Sequence, residues 1–180
     1  MVHGTADPSR RSGSSGPSRS PGTSGFTRLA FGLEHVGPEV ARPLRHEVLR
    51  AGLTRDSAIF PGDEDPMALH VAVRVVGDGA AEDVVSVGMT YPDPPPWEET
   101  AERAWRIRGM ATRDGLRGRG LGRMVLDALV SHASEHDGSM TWCHARFGAV
   151  NFYLRAGFSS VGGAFDDGIA LHQSMWRPLA

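Results

Sequence analysis

The segment LRGRGLG, residues 116–122, groups residue types that are suited to binding an anion. Gly118, Gly120 and Gly122 occupy alternate positions, and Arg117 and Arg119 precede the first two of them. Glycines let the backbone N–H groups approach a ligand closely, and the first turn of a helix carries a partial positive charge. The apolar run that follows is typical of a helix, so the segment predicts a site for a phosphate-bearing ligand at a helix N-terminus.

The positive charge is concentrated around this segment. Between Glu102 and Arg123 the chain has seven arginines and only two acidic residues, whereas the whole sequence has a formal net charge of −2. All 19 basic residues are arginines. A local patch in a balanced chain suits a phosphate-bearing ligand, and this composition does not indicate a general nucleic-acid binder.

Two common phosphate-binding motifs do not fit the segment. A Walker A loop ends in Gly-Lys-Ser/Thr, and the chain contains no lysine. The dinucleotide fingerprint requires Gly-x-Gly-x-x-Gly, whereas the three glycines here alternate. The sequence therefore argues against the usual ATP and NAD loops.

The elements around the segment follow from hydrophobic periodicity. A strand over 104–112 precedes it, and a helix from Leu121 to about Glu135 follows it. The predicted apolar stripe of this helix is Leu121, Met124, Val125, Ala128 and Leu129. Strict alternation in the strand puts Trp105, Ile107 and Ala111 on one face. The opposite face then holds Arg106, Arg108, Met110 and Thr112. The whole chain is predicted as β-α-β-β-β-α-β-α-β-β, a mixed sheet flanked by helices.

Domain organisation follows from composition. Residues 1–25 are rich in Ser, Gly and Pro, so we expect a disordered tail followed by one domain over 26–180. Cys143 is the single cysteine, which predicts a buried thiol and a cytoplasmic location. No apolar run approaches the ~18 residues of a membrane span, so no membrane partner is expected.

Four motifs together resemble the GNAT superfamily of acetyl-CoA-dependent N-acetyltransferases. Arg-x-x-Gly-x-Gly over 117–122 is similar to the acetyl-CoA loop of that family, and MAT over 110–112 precedes it as the family's central strand does. NFYLRAGF over 151–158 and the closing LHQSMWRPL over 171–179 are similar to later family segments. The resemblance covers most of residues 26–180.

The resemblance implies an α/β (α+β) fold, with a mostly antiparallel, splayed sheet and about four helices. It implies acetyl-CoA as cosubstrate, no metal, and transfer of the acetyl group to a primary amine by direct attack. Tyr153 occupies the position of the family's general acid. The implied cofactor-binding residues are Met110, Ala111, Thr112, Arg117, Gly118, Arg119, Gly120, Leu121, Gly122 and Asn151.

The general base stays open. Some family members carry a glutamate on the central strand, but here that strand offers Arg106 and Arg108, for which salt bridges are the preferred interpretation. Asp63, Glu64 and Asp65 are candidates to attract a cationic amine. His70 and His144 are candidates to accept its proton, directly or through water.

Two other functions remain open from the sequence. The chain could be a non-catalytic acyl-CoA sensor, or it could bind nucleic acid through Arg-Gly-Arg, although the strand–loop–helix setting argues against the second. The acceptor, a small-molecule or peptide amine, is not identified by the sequence. A homodimer is likewise an open alternative.

Overall fold

The structure is a computed structural model that describes Met1 and residues 30–76 and 83–180. The predicted tail after Met1, the beginning of the first strand predicted over 26–33 and most of the connection after residue 76 lie outside the described residues. The order of the strands and helices in the described part is the order predicted from the sequence.

Seven strands make up the described sheet. They are β1 (Ala30–Val36), β2 (Leu69–Val76), β3 (Val84–Pro92), β4 (Ala104–Thr112), β5 (Met140–Arg146), β6 (Ser159–Asp166) and β7 (Leu171–Pro178). The α-helices are α1 (Pro38–Leu49), α2 (Leu121–Glu135) and α3 (Val150–Arg155). Two short 3-10 helices, Arg55–Ala58 and Phe147–Ala149, complete the described helical segments. The described residues thus form three α-helices and two 3-10 helices, and about four helices were expected.

The sheet has the strand order β1-β2-β3-β4-β5-β7-β6. Every neighbouring pair is antiparallel except β4 and β5, which are parallel. That parallel pair extends over only three residue pairs, Ala104–Arg106 against Met140–Trp142. Beyond these pairs β4 continues beside β3 alone and β5 beside β7 alone, so the sheet splays into two halves. The predicted mixed, mostly antiparallel, splayed sheet is confirmed.

The helices pack on opposite faces of the sheet. Val125, Leu129 and Tyr153, from α2 and α3, belong to the main core on one face, together with Val71 and Ile107. On the other face, α1 forms a smaller core. Its buried members are Ala41, Leu44, Ala72, Val87 and Ala111. The two faces are called the α2 face and the α1 face below.

The predicted apolar stripe of α2 is partly wrong. Leu121, Val125 and Leu129 are buried as expected, but Met124 is 37% exposed. The buried stripe instead extends through Leu126, Val130 and Ala133. The face of α2 that packs on the sheet is therefore rotated towards these residues.

A β-bulge in β4 changes which side chains share a face, so the alternation predicted for this strand is wrong. Met89 pairs with Arg108 and Val87 with Ala111, so β4 uses three residue steps where β3 uses two. The extra residue shifts the alternation of side chains by one position, so that each residue after the bulge points to the face opposite to the one predicted. Ala111 therefore joins the α1 face, while Met110 packs against the core of the α2 face with Ile107.

Gly109, in this bulge, has a positive φ of 64° and lies against a buried arginine. A Cβ added there would lie 2.7 Å from Nε of Arg45. Arg45 is fully buried, and its guanidinium is held by Asp63 (Nη1 to Oδ1, 2.6 Å) and by His70 (Nη2 to Nδ1, 3.0 Å). Since Arg45 cannot easily move aside, the bulge and the packing of α1 depend on each other.

We expect Gly109→Ala to destabilise the protein more than Gly52→Ala does. Gly52 also has a positive φ, 82°, but nothing lies within 4 Å of its added Cβ, so its substitution costs only the backbone term of about 1–2 kcal/mol. At Gly109 the clash with Arg45 adds about 1–3 kcal/mol. Urea denaturation of both variants measures the difference, and equal losses would contradict a tight contact between β4 and Arg45.

Candidate active site

The gap between β4 and β5 opens into a cavity of about 710 Å³. Its walls include the β4 segment 108–112, the loop before α2, the end of β5 and part of α3. Because the two strands no longer pair here, their facing main-chain N–H and C=O groups are available to a ligand. The cavity therefore reaches both faces of the sheet.

The Gly-rich loop forms one wall of the cavity on the α2 face. Gly118 and Gly120 have φ of 78° and 84°, which a side chain with a Cβ adopts only at a cost. Gly120 is the N-cap residue of α2, and no side chain in the part of the chain that the structure describes caps the helix there. The first N–H groups of a 15-residue helix are therefore not taken by a side-chain cap, as an anion site requires.

The predicted cofactor residues divide into two groups. Most of them line the cavity, and these are Met110, Ala111, Thr112, Arg117, Gly118, Gly120, Leu121 and Gly122. Arg119 and Asn151 are exposed and lie outside the lining. Arg117 pairs with Asp114 at 2.9 Å on the surface. The cofactor contacts assigned to the residues of both groups stay predictions.

Tyr153 also lines the cavity, on the α2 face. Its side chain is almost fully buried, and its hydroxyl is a hydrogen-bond partner of the Cys143 thiol. Burial, with Cys143 beside it, raises the pKa of Tyr153 well above its usual value. Burial likewise raises the pKa of Cys143 to about 12, so both groups keep their protons at neutral pH. The prediction that Cys143 is a buried core thiol is confirmed.

The acidic loop that was a candidate to attract the amine serves the fold instead. Asp63 is buried and accepts hydrogen bonds from Arg45 and from the backbone N–H of Phe60. Glu64 is on the surface and accepts from Arg42 at 2.8 Å. Neither residue lines the cavity, and nor does Asp65. The carboxylate of Asp63 is neutralised by Arg45, which makes it a poor attractor for a second cation.

The two candidate histidines are in different environments. His70 has both ring nitrogens engaged, Nδ1 by Arg45 and Nε2 by the carbonyl of Asp63 (3.0 Å), and it lies outside the cavity lining. His144 lines the cavity, and its Nδ1 lies 3.0 Å from Oγ of Ser174. Burial, followed by the charges of Arg106, His172 and Arg108, lowers the pKa of His144 to about 4. His144 is therefore neutral at physiological pH and can accept a proton.

The two arginines of β4 also line the cavity. Arg106 forms a salt bridge with Asp93 at 3.0 Å and lies over the ring of Trp142. The salt bridge predicted for Arg106 is therefore confirmed. Arg108 instead lies over the ring of Phe60 and is a hydrogen-bond partner of Tyr91. A salt bridge is therefore the wrong description of Arg108 among the described residues.

Sequence reasoning missed several residues that the fold brings to the cavity. These are Arg50, Phe60, Arg146, Asp167 and His172. His172 stacks on Phe165, and its Nδ1 lies 3.6 Å from Oδ2 of Asp167. The Asp-Asp-Gly turn before β7, followed by a histidine, was the local signal for this pair. The two arginines carried no local signal, because they follow α1 and end β5, nearly 100 residues apart.

Comparisons with known proteins agree with this geometry. Residues 47–158 match the model of the acetyltransferase (GNAT) family. The uncharacterised N-acetyltransferase YitI of Bacillus subtilis (strain 168) is 27% identical over 137 residues, which cover 76% of this chain and 88% of YitI. The chain therefore belongs to the GNAT family and is an acyltransferase, which favours the enzyme over the non-catalytic sensor.

Solved structures share the fold. A Lactobacillus plantarum protein that is provisionally described as an N-acetyltransferase superposes with a TM-score of 0.67 at 21% identity. The alignment covers 84% of this chain and 99% of the Lactobacillus protein. An aminoglycoside 6'-N-acetyltransferase in complex with coenzyme A superposes with a TM-score of 0.60 at 12% identity. The alignment covers 81% of this chain and 96% of that enzyme. In the part of the chain that the structure describes, no helix is long and apolar enough to span a membrane.

We expect the shifted pKa of His144 to make stability depend on pH. The unfolded chain binds a proton on this histidine near pH 6.5, whereas the folded chain binds it only near pH 4. Between these values the unfolded state holds more protons, so stability falls as the pH falls. In His144→Gln, which keeps a polar group beside Ser174, the melting temperature should fall less between pH 7 and pH 5. An identical slope in both proteins would contradict the shift.

Proposed function

We propose that this enzyme transfers an acetyl group from acetyl-CoA to a primary amine by direct attack within the cavity between β4 and β5. The observation that carries the proposal is the Gly-rich loop, whose helix start has no side-chain cap and faces the same cavity as Tyr153 and His144. The family's use of acetyl-CoA and the match over residues 47–158 support it.

The cofactor would occupy the α2 face of the gap. Its pyrophosphate would accept hydrogen bonds from the N–H groups at the start of α2, with Arg117 as a counter-charge. Its pantetheine arm would lie along Met110–Thr112, where β4 has no strand partner on the side of β5, and replace the missing strand. This arrangement would point the thioester towards Tyr153.

In the proposed reaction the neutral amine nitrogen attacks the thioester carbonyl and forms a tetrahedral adduct. The proton lost from the nitrogen passes to His144, directly or through water. The C–S bond then breaks, and the departing thiolate takes the proton of the Tyr153 hydroxyl. The pKa shifts keep His144 unprotonated and Tyr153 protonated at neutral pH, which are the protonation states that these roles require, and they also make His144 a weaker base and Tyr153 a weaker acid.

The wider surroundings of the reaction are also proposals. A single, buried Cys143 supports a reducing, cytoplasmic setting. The acceptor would be a small-molecule or peptide amine, since the cavity holds about 710 Å³. The most direct test of the activity is a panel of amines that are incubated with acetyl-CoA while the release of free CoA thiol is followed. No release from any amine would contradict the proposed function.

We expect Gly120→Val to abolish the rise in melting temperature that CoA produces. The valine side chain would enter the space next to the N-terminus of α2 that the pyrophosphate needs. Gly52→Val is the matched control, because Gly52 has a similar φ, 82° against 84°, and its added Cβ also meets nothing within 4 Å, but it lies outside the cavity lining. Both variants should lose intrinsic stability, and only Gly120→Val should lose the CoA-induced rise. A full rise in Gly120→Val would show that CoA binds elsewhere.

We expect Tyr153→Phe to lower kcat by about 10²-fold, the lower end of the contribution of general acid catalysis, with little change in CoA affinity. The substitution removes the proton donor and keeps the packing of the ring. Thr141→Val is the matched control, since it also removes a fully buried hydroxyl, but one that lies outside the cavity lining. The measurements are kcat under chemistry-limited conditions and the Kd of CoA by calorimetry. Equal losses of CoA affinity and kcat/KM would make Tyr153 a binding residue instead of the acid.

A further inference from the structure

Three half-buried arginines meet on the α1 face of the cavity, opposite the Gly-rich loop. Arg50 follows the end of α1, Arg108 lies in β4 and Arg146 ends β5. Arg50 and Arg108 both lie over the ring of Phe60, at 5.1 and 5.0 Å from its centroid. Arg50 and Arg146 both donate hydrogen bonds to the carbonyl of Leu49, the last residue of α1. We call Arg50, Arg108 and Arg146 the arginine cluster.

The arginine cluster differs from most other arginines near the cavity in having no carboxylate partner. Arg106, Arg117 and Arg123 pair with Asp93, Asp114 and Asp127, respectively, at 3.0 Å or less. Among the described residues, no carboxylate oxygen lies within 4 Å of a guanidinium nitrogen of the cluster. The cluster's partners are instead backbone carbonyls and the Tyr91 hydroxyl, which leave its positive charge uncompensated.

The surrounding charges do not neutralise the cluster. Among the described residues Asp167 is the one acidic residue that lines the cavity, and it already has His172 and two backbone N–H groups around it. Burial, followed by repulsion from Arg146 and Arg108, lowers the pKa of Arg50, and the attraction of Asp167 offsets this only in part. Three guanidinium groups held together in a half-buried wall are favourable only where an anion joins them.

We propose that the amine acceptor carries a carboxylate close to its amino group, as an amino acid does, and that the arginine cluster binds this carboxylate. The inference rests on the proposed function, because the cluster faces the side of the gap that would receive the acceptor. The guanidinium groups can form bidentate hydrogen bonds with a carboxylate. Their charge also disfavours the ammonium form of a nearby amine, so the neutral nucleophile is easier to reach.

The same charge excludes other acceptors. A polyamine or an aminoglycoside brings several positive charges, which the cluster would repel from the α1 face. A neutral or cationic acceptor would therefore bind worse than an amino acid of the same side chain. The substrate class follows from the cluster and not from the Gly-rich loop, which lies on the other face of the sheet.

The test compares matched acceptors with acetyl-CoA as donor. Each amino acid is paired with its carboxamide and with the amine left by decarboxylation, and kcat/KM is measured from the release of CoA thiol. The carboxylate holds the amine in its protonated form more strongly than the amide does, so the comparison with the carboxamide is biased against the proposal. The decarboxylated amine is the strongest base of the three and is therefore compared at an equal concentration of the unprotonated form. We expect the amino acid to be preferred by about tenfold or more, mainly through KM.

Arg50→Gln and Arg108→Gln should each reduce that preference by about tenfold, while Arg103→Gln should leave it unchanged. Arg103 is an exposed arginine outside the cavity that donates to the carbonyl of Asp137, so its substitution removes the same charge at a distance. Equal use of the amino acid and its amide, or a preference for the polycationic amines, overturns the proposal. So does a preference for succinyl-CoA over acetyl-CoA that depends on Arg50, because the cluster would then bind the acyl donor.

A binding measurement separates this proposal from the proposed function. N-acetyl amino acids and their amides are titrated into the CoA-bound enzyme by calorimetry, with no turnover required. Binding that prefers the acid over the amide and is lost in Arg50→Gln supports the carboxylate site. If no amine is acetylated in addition, that result contradicts the proposed acetyl transfer and leaves the carboxylate site supported. Acetylation of amines with no preference for the acid leaves the transfer standing and overturns the carboxylate site, as does the absence of both turnover and binding.

Discussion

The structure depends on how far β4 and β5 stay together. Three parallel residue pairs, Ala104–Arg106 with Met140–Trp142, hold the two halves of the sheet, and then the strands diverge. Fully paired strands would satisfy each other's backbone groups and leave no opening through the sheet. The divergence leaves main-chain donors and acceptors beside a cavity of about 710 Å³ that is reached from both faces. The divergence of β4 and β5 is therefore both a feature of the fold and the origin of the cavity.

The two faces of this gap carry different chemistry. The α2 face holds the start of α2, bare glycine backbone and the protonated Tyr153. The α1 face holds His144 and the arginine cluster. Burial acts in opposite directions on the two titratable groups, because it disfavours the charged form of each, a phenolate in one and an imidazolium in the other. One physical cause thereby keeps both the phenol and the imidazole neutral within the same cavity.

The α1 face stays in place through a buried ionic network. Arg45 of α1 contacts Asp63 in the following loop and His70 in β2, and its Nε lies against Gly109 in the bulge of β4. Buried charges of this kind are tolerated only with close partners, so the network constrains the position of α1 against the sheet. The end of α1 in turn supplies the carbonyls that hold Arg50 and Arg146. Asp63 and His70, two of the residues that the sequence offered as candidates for the site, are used for this positioning.

The sequence by itself determined the features that are coded locally. The alternating glycines of the loop indicated a close backbone approach at a helix start, and apolar periodicity predicted α2 from Leu121 to about Glu135. Tertiary structure alone decided the rest. The bulge at Gly109 moved Ala111 to the other face, and pairing between distant strands put His144 in the cavity and His70 in the network. The arginine cluster joins residues 50, 108 and 146, and no pattern within a short window can reveal it. Periodicity reports on neighbours along the chain, whereas a binding wall is made by strand register and by charges that meet only after folding.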